Sequence, residues 1–332
     1  MNLLFSIIIP VYNRPLELDE LLKSISKQKR DVVFEVLVIE DGSTVKSGKI
    51  VEDYKIFLDI KYFYKENSGP GDSRNFGVEK AKGNYLIFLD SDCILPNDYL
   101  KEVSSALKNN YTDGFGGADK AHTSFTDWQK AINYSMTSFL TTGGIRGSEK
   151  VKNKFQLRSF NMGISKKVFL KVKGFARQRY GEDIDLTYRL WEGKYKTQFL
   201  TKAFVYHKRR TTWGQFFNQT FNFGAARPIL SAKYPNSSKL TFWFPGLFVL
   251  GALLAILTWW LGSQILIIIY TSYFLVIYMD SLIKDRNPIV ALLSIFTTIT
   301  QFLGYGLGFL RSMYRLKILK KTPEEAFSKM FQ

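Results

Sequence analysis

Apolar residues come first in short runs and later in long ones. The runs "FSIIIPVY" (5–12), "FEVLVIED" (34–41), "IKYFYKE" (60–66) and "YLIFLD" (85–90) are compact sets of strand formers, as in strands buried on both faces of a parallel sheet. Leu18, Leu21, Leu22 and Ile25 recur at helical spacing between the first two, and a second helix is expected near 70–82. Strand and helix patterns alternate in this way as far as about residue 115, the βαβ rhythm of an α/β domain with a mostly parallel, Rossmann-like central sheet. Further helices are expected at 97–108, 127–141 and 182–194, and a strand near 197–206. The reading divides this region into a half at 1–115 and a looser half at 116–235.

After Lys239 the pattern changes. Three apolar segments follow, "TFWFPGLFVLGALLAILTWWLG", "QILIIIYTSYFLVIYMDSLI" and "IVALLSIFTTITQFLGYGLGFL". The first and third have no charge over the roughly 20 residues that cross a bilayer, and the second has only Asp280. Residues 240–310 are therefore expected to form two or three transmembrane or re-entrant helices, followed by a basic cytoplasmic tail at 311–332. With the first domain in the cytoplasm, three full crossings would put Arg311, Arg315, Lys317, Lys320 and Lys321 on the far side, against the positive-inside tendency. The third segment is the one expected not to cross, because Gly304, Gly306 and Gly308 weaken a helix.

The chain has 332 residues, 46% of them hydrophobic, and a formal net charge of +17. The excess charge points to an anionic partner. No zinc-finger spacing, helix-turn-helix signal or RNA-binding aromatic signature is present, so phosphate-bearing substrates and membrane lipid are expected and nucleic acid is not. The single cysteine, Cys93, excludes an internal disulfide framework and a Cys-based zinc site, and is read as buried packing.

Carboxylates follow the strand patterns. Asp90 and Asp92 come directly after "YLIFL", where an open α/β sheet binds ligands. Side chains two apart along an extended chain share a side, and two neighbouring anions call for a cation. Oxygen donors of this kind suit Mg²⁺ or Mn²⁺, with a diphosphate completing the coordination. Two other strand ends reach the same edge: Pro10, Tyr12, Asn13 and Arg14 offer an aromatic face and polar edges, while Glu40, Asp41, Gly42 and Ser43 can accept from a base or ribose or can simply form a turn. Gly69, Gly71 and Arg74 at the start of the next helix resemble a pocket wall.

"SIIIPVYNRP", "VLVIEDGS", "NSGPGDSRNFGVEKAKGNYLIFLDSD", "FNMGISKKVFLKVKGF" and "YGEDIDLTYRL" together, in order and spacing, resemble the family 2 glycosyltransferases of the GT-A fold, over about residues 4 to 210. The tail, with "FGAARP" and "FLGYGLGFLRS", is similar to membrane-anchored exopolysaccharide transferases of the succinoglycan type. The resemblance implies a GT-A catalytic domain at 1–235, with a nucleotide-binding half at 1–115 and an acceptor half at 116–235, that binds a UDP- or GDP-sugar, with Pro10, Tyr12, Asn13 and Asp41 around base and ribose, Arg14 among the donor-binding residues and Arg74 in the donor wall. Asp90 and Asp92 would hold the metal and the sugar diphosphate, and His207 would complete the metal shell. Arg209 and Arg210 would neutralise the leaving diphosphate, and Asn161 would touch donor sugar or acceptor. Glu182 and Asp183 correspond to the acceptor-site acidic pair, with Asp183 as the base of an inverting transfer; the same charges also favour a helix start for structural reasons. Glu40 stands where the family often has a second Asp. Gln219 is followed by "TFN" and not by the Q-x-x-R-W continuation of processive members, which points to addition of one sugar.

The function expected is a metal-dependent, inverting hexosyl transfer to a lipid-linked or growing surface glycan. It is placed at a multi-pass inner (cytoplasmic) membrane location with the catalytic domain in the cytoplasm. The alternatives are a polyprenyl-phosphate glycosyltransferase and a catalytically idle nucleotide-binding scaffold.

Overall fold

The computed structural model describes residues 3–29, 31–143 and 155–331. The chain runs β1 (Phe5–Val11), α1 (Pro15–Ile25), β2 (Phe34–Asp41), α2 (Gly48–Tyr54), β3 (Ile60–Lys65), α3 (Pro70–Lys80), β4 (Tyr85–Leu89), β5 (Cys93–Ile94), α4 (Tyr99–Asn109), β6 (Gly114–Lys120), α5 (Asp127–Thr137) and α6 (Phe139–Thr142). It continues with β7 (Asn161–Ser165), α7 (Lys166–Lys171), α8 (Glu182–Glu192), β8 (Thr197–His207), α9 (Trp213–Lys233), α10 (Phe244–Trp260), α11 (Ile265–Asp285), α12 (Pro288–Met313), α13 (Pro323–Ala326) and α14 (Ser328–Phe331).

Two compact units emerge. The first comprises residues 1–122, 149–208 and 329–332. Its eight strands form one sheet in the order β3-β2-β1-β4-β7-β6-β8-β5. β1, β2, β3 and β4 run parallel, so their carboxyl ends share one edge. β7 is antiparallel to β4 and β6, which makes the sheet mixed. The apolar runs of β1 and β4 are buried along their whole length. Ile7, Ile9, Val36, Val38 and Ile87 pack towards α1 and α4, and Ile8, Leu37, Ile39 and Phe88 pack on the opposite face.

β6 and β7 carry glycine where a strand pattern would carry bulk. A Cβ on Gly117 would stand 2.1 Å from the Ala203 carbonyl oxygen, and one on Gly163 would stand 2.2 Å from the Phe115 ring. Neighbouring groups occupy the space of the missing side chains, and this removes the periodicity by which a strand is read.

The second unit comprises residues 123–148 and 209–328. Here α5, α6 and α9 group with the three apolar helices, whereas the sequence reading drew its boundary after residue 235. α9 and α12 lie side by side. Trp213 Nε1 donates to Thr300 Oγ1 at 3.0 Å, and Cβ atoms on Gly304 and Gly308 would stand 2.1 Å from Thr220 Oγ1 and from the Phe221 carbonyl oxygen. The glycines thus act as small residues that let two backbones approach closely. They do not break α12, which runs continuously through all three, contrary to the weakening expected of them.

Among the described residues, the helices at Ile265–Asp285 and Pro288–Ile318 are long and apolar enough to cross a membrane, and Phe244–Trp260 is shorter. They differ in packing: 11% of the apolar window of α11 is buried in the protein, against 50% for α12. α10 and α11 expose Leu250, Leu253, Leu257, Ile268, Leu275 and Val276, as lipid-facing helices do.

Candidate active site

The carboxyl ends of β1 and β2 are held together by their own polar residues. Asn13 sits at φ 53°, a left-handed conformation that asparagine tolerates. Its Oδ1 accepts from Thr44 N at 2.8 Å and Val45 N at 3.0 Å, and its N–H donates to Ser43 Oγ at 2.8 Å. Glu40 is fully buried and accepts from Ser47 N and the Ser43 hydroxyl. Asp41, 3% exposed, accepts from Lys65 Nζ at 2.7 Å, Ser68 N at 3.0 Å and Gly69 N at 2.9 Å, which fixes the turn into α3. Pro10 is buried, while Tyr12 leaves half its surface in solvent at the same edge.

Past β4 the carboxylates meet cations. Asp90 Oδ1 accepts from Arg74 Nη2 at 2.6 Å, and the other end of the same guanidinium donates to Glu182 Oε1 at 3.0 Å. Arg74 is 2% exposed. This residue, expected in a donor wall, is instead a buried brace between the two acidic groups. Burial alone would discharge it, but Asp90 and Glu182 outweigh that and raise its pKa. Arg14 pairs with Asp92. His207 comes to the same place because β5 pairs antiparallel with β8, setting Cys93 opposite His207. His207 Nε2 then lies 3.2 Å from Asp92 Oδ1, and its ring stacks on Phe160.

The donor atoms of Asp92, Cys93 and His207 lie within 4.8 Å of one another. Cys93 does not belong to a hard-cation set. Its thiol is fully buried, its pKa is raised well above the ordinary value by that burial and by Asp92, and it faces the Phe160 carbonyl. The carboxylate and imidazole that remain are oxygen and nitrogen donors, and with Asp90 two residues away they fit Mg²⁺ or Mn²⁺.

Glu182 and Asp183 open α8, after Gly181 in a left-handed turn. Burial, and then the neighbouring Asp183 charge, push the Glu182 carboxyl up to about 8 against the pull of Arg74. Asp183 accepts from Ile184 N at 2.8 Å and Ser159 N at 3.4 Å, with Arg158 Nη1 at 3.9 Å. Arg158 and Ser159 were missed in the sequence, although they stand just before the "FNMG" motif. Their signal was a basic and a hydroxyl residue at the mouth of a buried strand.

Asn161 does not reach the open edge. It is fully buried: its amide donates to the Ala203 and Ala118 carbonyls at 2.9 and 3.1 Å, and its Oδ1 accepts from Tyr99 OH at 2.7 Å. Its expected contact with sugar is replaced by bracing β6, β7 and β8. Arg209 and Arg210 belong to the second unit, where Arg209 donates to Asn133 Oδ1 at 2.9 Å. Lys208, in the first unit, pairs with Glu20.

Comparison with known proteins agrees with the fold. The family model described as "Glycosyl transferase family 2" matches residues 6–172. Poly(ribitol-phosphate) beta-N-acetylglucosaminyltransferase TarS of Staphylococcus aureus is 36% identical over 112 residues, which are 33% of this chain and 20% of TarS. This chain thus spans about a fifth of that relative's length. GalNAc(5)-diNAcBac-PP-undecaprenol beta-1,3-glucosyltransferase of Campylobacter jejuni is 28% identical over 229 residues, 67% of this chain and 68% of the relative. The solved mannosyltransferase PcManGT from Pyrobaculum calidifontis, in complex with GDP-Man and Mn²⁺, has a TM-score of 0.59 at 14% identity, over 93% of this chain and 87% of that one. This last likeness is one of fold, the mixed α/β GT-A arrangement.

Proposed function

The chain belongs to glycosyl transferase family 2, and from that premise we infer that it moves one sugar from a UDP- or GDP-sugar to a lipid-linked or growing surface glycan. The transfer inverts the anomeric carbon, uses a divalent cation, and takes place at the cytoplasmic face of the inner membrane. The observation that carries this reading is the meeting, in one unit, of the Asp92–His207 pair with the Asp90–Arg74–Glu182 bridge and the largely buried carboxylate of Asp183.

Asp90, Asp92 and His207 would hold Mg²⁺ or Mn²⁺, which when bound neutralises charge on the departing diphosphate. Tyr12 offers an exposed ring against which a base can stack. Asp183 takes the proton of the acceptor hydroxyl as its oxygen bonds to the anomeric carbon, and the bond to the diphosphate breaks on the opposite face. Arg158 and the Ser159 N–H orient that carboxylate. Arg74 keeps Asp90 and Glu182 from separating under their mutual repulsion.

The name of the Campylobacter relative specifies an undecaprenol-diphosphate-linked glycan, and the exposed apolar helices of the second unit suit a lipid-borne substrate. A panel of UDP- and GDP-sugars, incubated with the full chain, native membrane lipid and Mn²⁺, tests the reading. At least one donor is expected to release nucleoside diphosphate, with release lost on chelation. Donor binding without release from any member of the panel would point to an idle scaffold.

A further inference from the structure

A buried cation in the second unit has no carboxylate partner among the described residues. Arg227 of α9 is 8% exposed, and its Nη1 has no hydrogen-bond partner among the described residues. Its guanidinium lies 4.4 Å from the centre of the Phe242 ring. A cation–π contact recovers part of the lost hydration, but leaving the buried Nη1 donor unmatched is costly. Such a group is suited to an anion.

Three neighbouring features describe the anion. Ser312 is fully buried, and its Oγ also lacks a partner among the described residues. α9 and α12 run in register, with Gly308 against Phe221 and Ala225, so one further turn brings Ser312 level with residues 225–229. The Arg311 guanidinium, 5.8 Å from the Phe221 ring centre, adds positive charge at this end of the pair. Directly after Phe242 the surface becomes apolar: Trp243 and Phe244 are 37% and 47% exposed, and Leu240 before it is 84% exposed. Residues 240–279 contain no Asp, Glu, Lys or Arg. A cationic seat with a hydroxyl at the same level of the helix pair and an apolar surface following it matches an amphiphile with a phosphate head.

We propose that Arg227, with Ser312, forms a lipid-phosphate site at the end of the α9–α12 pair, the guanidinium receiving the phosphate or diphosphate and the apolar lip receiving the first part of the chain. The site deepens the reading above, since it rests on that reading's membrane placement. The phosphate can belong to a prenyl carrier or to an anionic phospholipid, and the two are distinguished by experiment.

The full chain in neutral detergent is titrated with farnesyl phosphate, short-chain phosphatidylglycerol or inorganic phosphate, and retained molecules are counted by native mass spectrometry. One equivalent of phosphate amphiphile is expected on the wild type. Arg227→Gln should weaken retention about tenfold or more, Arg227→Lys less, and Ser312→Ala severalfold. Preference for farnesyl phosphate would identify a carrier, whereas equal retention of phosphatidylglycerol would identify a bilayer headgroup. Inorganic phosphate should compete weakly, because it lacks the chain. Wild-type retention by folded Arg227→Gln overturns the site. If that variant does not fold, wild-type retention by both Arg227→Lys and Ser312→Ala overturns it equally. No sugar donor is present, so loss of lipid binding leaves the transfer reading standing, and failed transfer leaves the lipid result standing.

Discussion

Glu35 and Glu182 are both buried glutamates of the first unit, 3% and 6% exposed, yet their surroundings differ in kind. Glu35 lies at the start of β2, where the strands begin. It accepts from the Lys82 N–H at 2.5 Å, Ser6 Oγ at 2.7 Å and Lys61 Nζ at 3.1 Å. Burial would raise its pKa, but these donors outweigh burial and hold it below the ordinary value. Glu182 is joined through Arg74 to Asp90, just past the end of β4, and faces a second carboxylate in Asp183. There burial and repulsion prevail and the pKa rises. The Glu35 cluster is satisfied internally and serves the fold. The cluster around Glu182 and Asp92 concentrates like charge that a cation or a proton must relieve, and this marks it as the working edge.

The contrast is sharpened most by Asp183→Asn. Transfer should fall by about 10²–10⁴-fold with donor affinity unchanged, as read from single-turnover rates beside donor titrations. A loss of at most about 1 kcal/mol of stability with wild-type turnover would reduce Asp183 to a helix-start charge. Arg74→Met comes next. It leaves Glu182 buried without its cation beside a partly exposed Asp90, and thermal unfolding should report a loss of about 3–5 kcal/mol, as for a broken buried ion pair. A stability equal to wild type would show that the brace contributes nothing.

The smallest effects have opposite signs with pH. Glu35→Gln should cost about 1–3 kcal/mol at neutral pH without slowing transfer. The folded state depresses this group's pKa, so its stabilisation is present above its ordinary value of 4.5 and is lost as pH falls through the folded value. Glu182 is raised from 4.5 to about 8, so the wild type loses stability relative to Glu182→Gln as pH rises between those values. Denaturant midpoints measured across pH for both variants check this. Parallel drifts would erase the distinction between the two ends of the sheet.

Much of this edge was legible in the sequence. The runs ending at Val11, Ile39 and Leu89 are mostly apolar, and a carboxylate just past such an end stands out. Asp92 and His207 are 115 positions apart, and their nearness required the β5–β8 pairing. β6 and β7 were not seen as strands because their glycines make room for Phe115, Phe155 and Asn161. Asn161 and Arg74 were misplaced for a related reason: polar residues beside a motif look available until burial shows that the protein itself uses their hydrogen bonds. Glu182 and Asp183 stand out in the sequence as adjacent carboxylates at a helix start, but Arg158 and Ser159, which contact Asp183, come from a segment without periodicity.

The most direct test of the functional edge is calorimetric titration of the donor in the presence of Mn²⁺, run in parallel on the wild type, Asp92→Asn and Glu35→Gln. The account predicts that Asp92→Asn loses the metal-dependent part of donor binding, about ten- to a hundredfold in affinity, while folded Glu35→Gln keeps it. Donor affinity in Asp92→Asn equal to that of the wild type, with the same dependence on Mn²⁺, would contradict it.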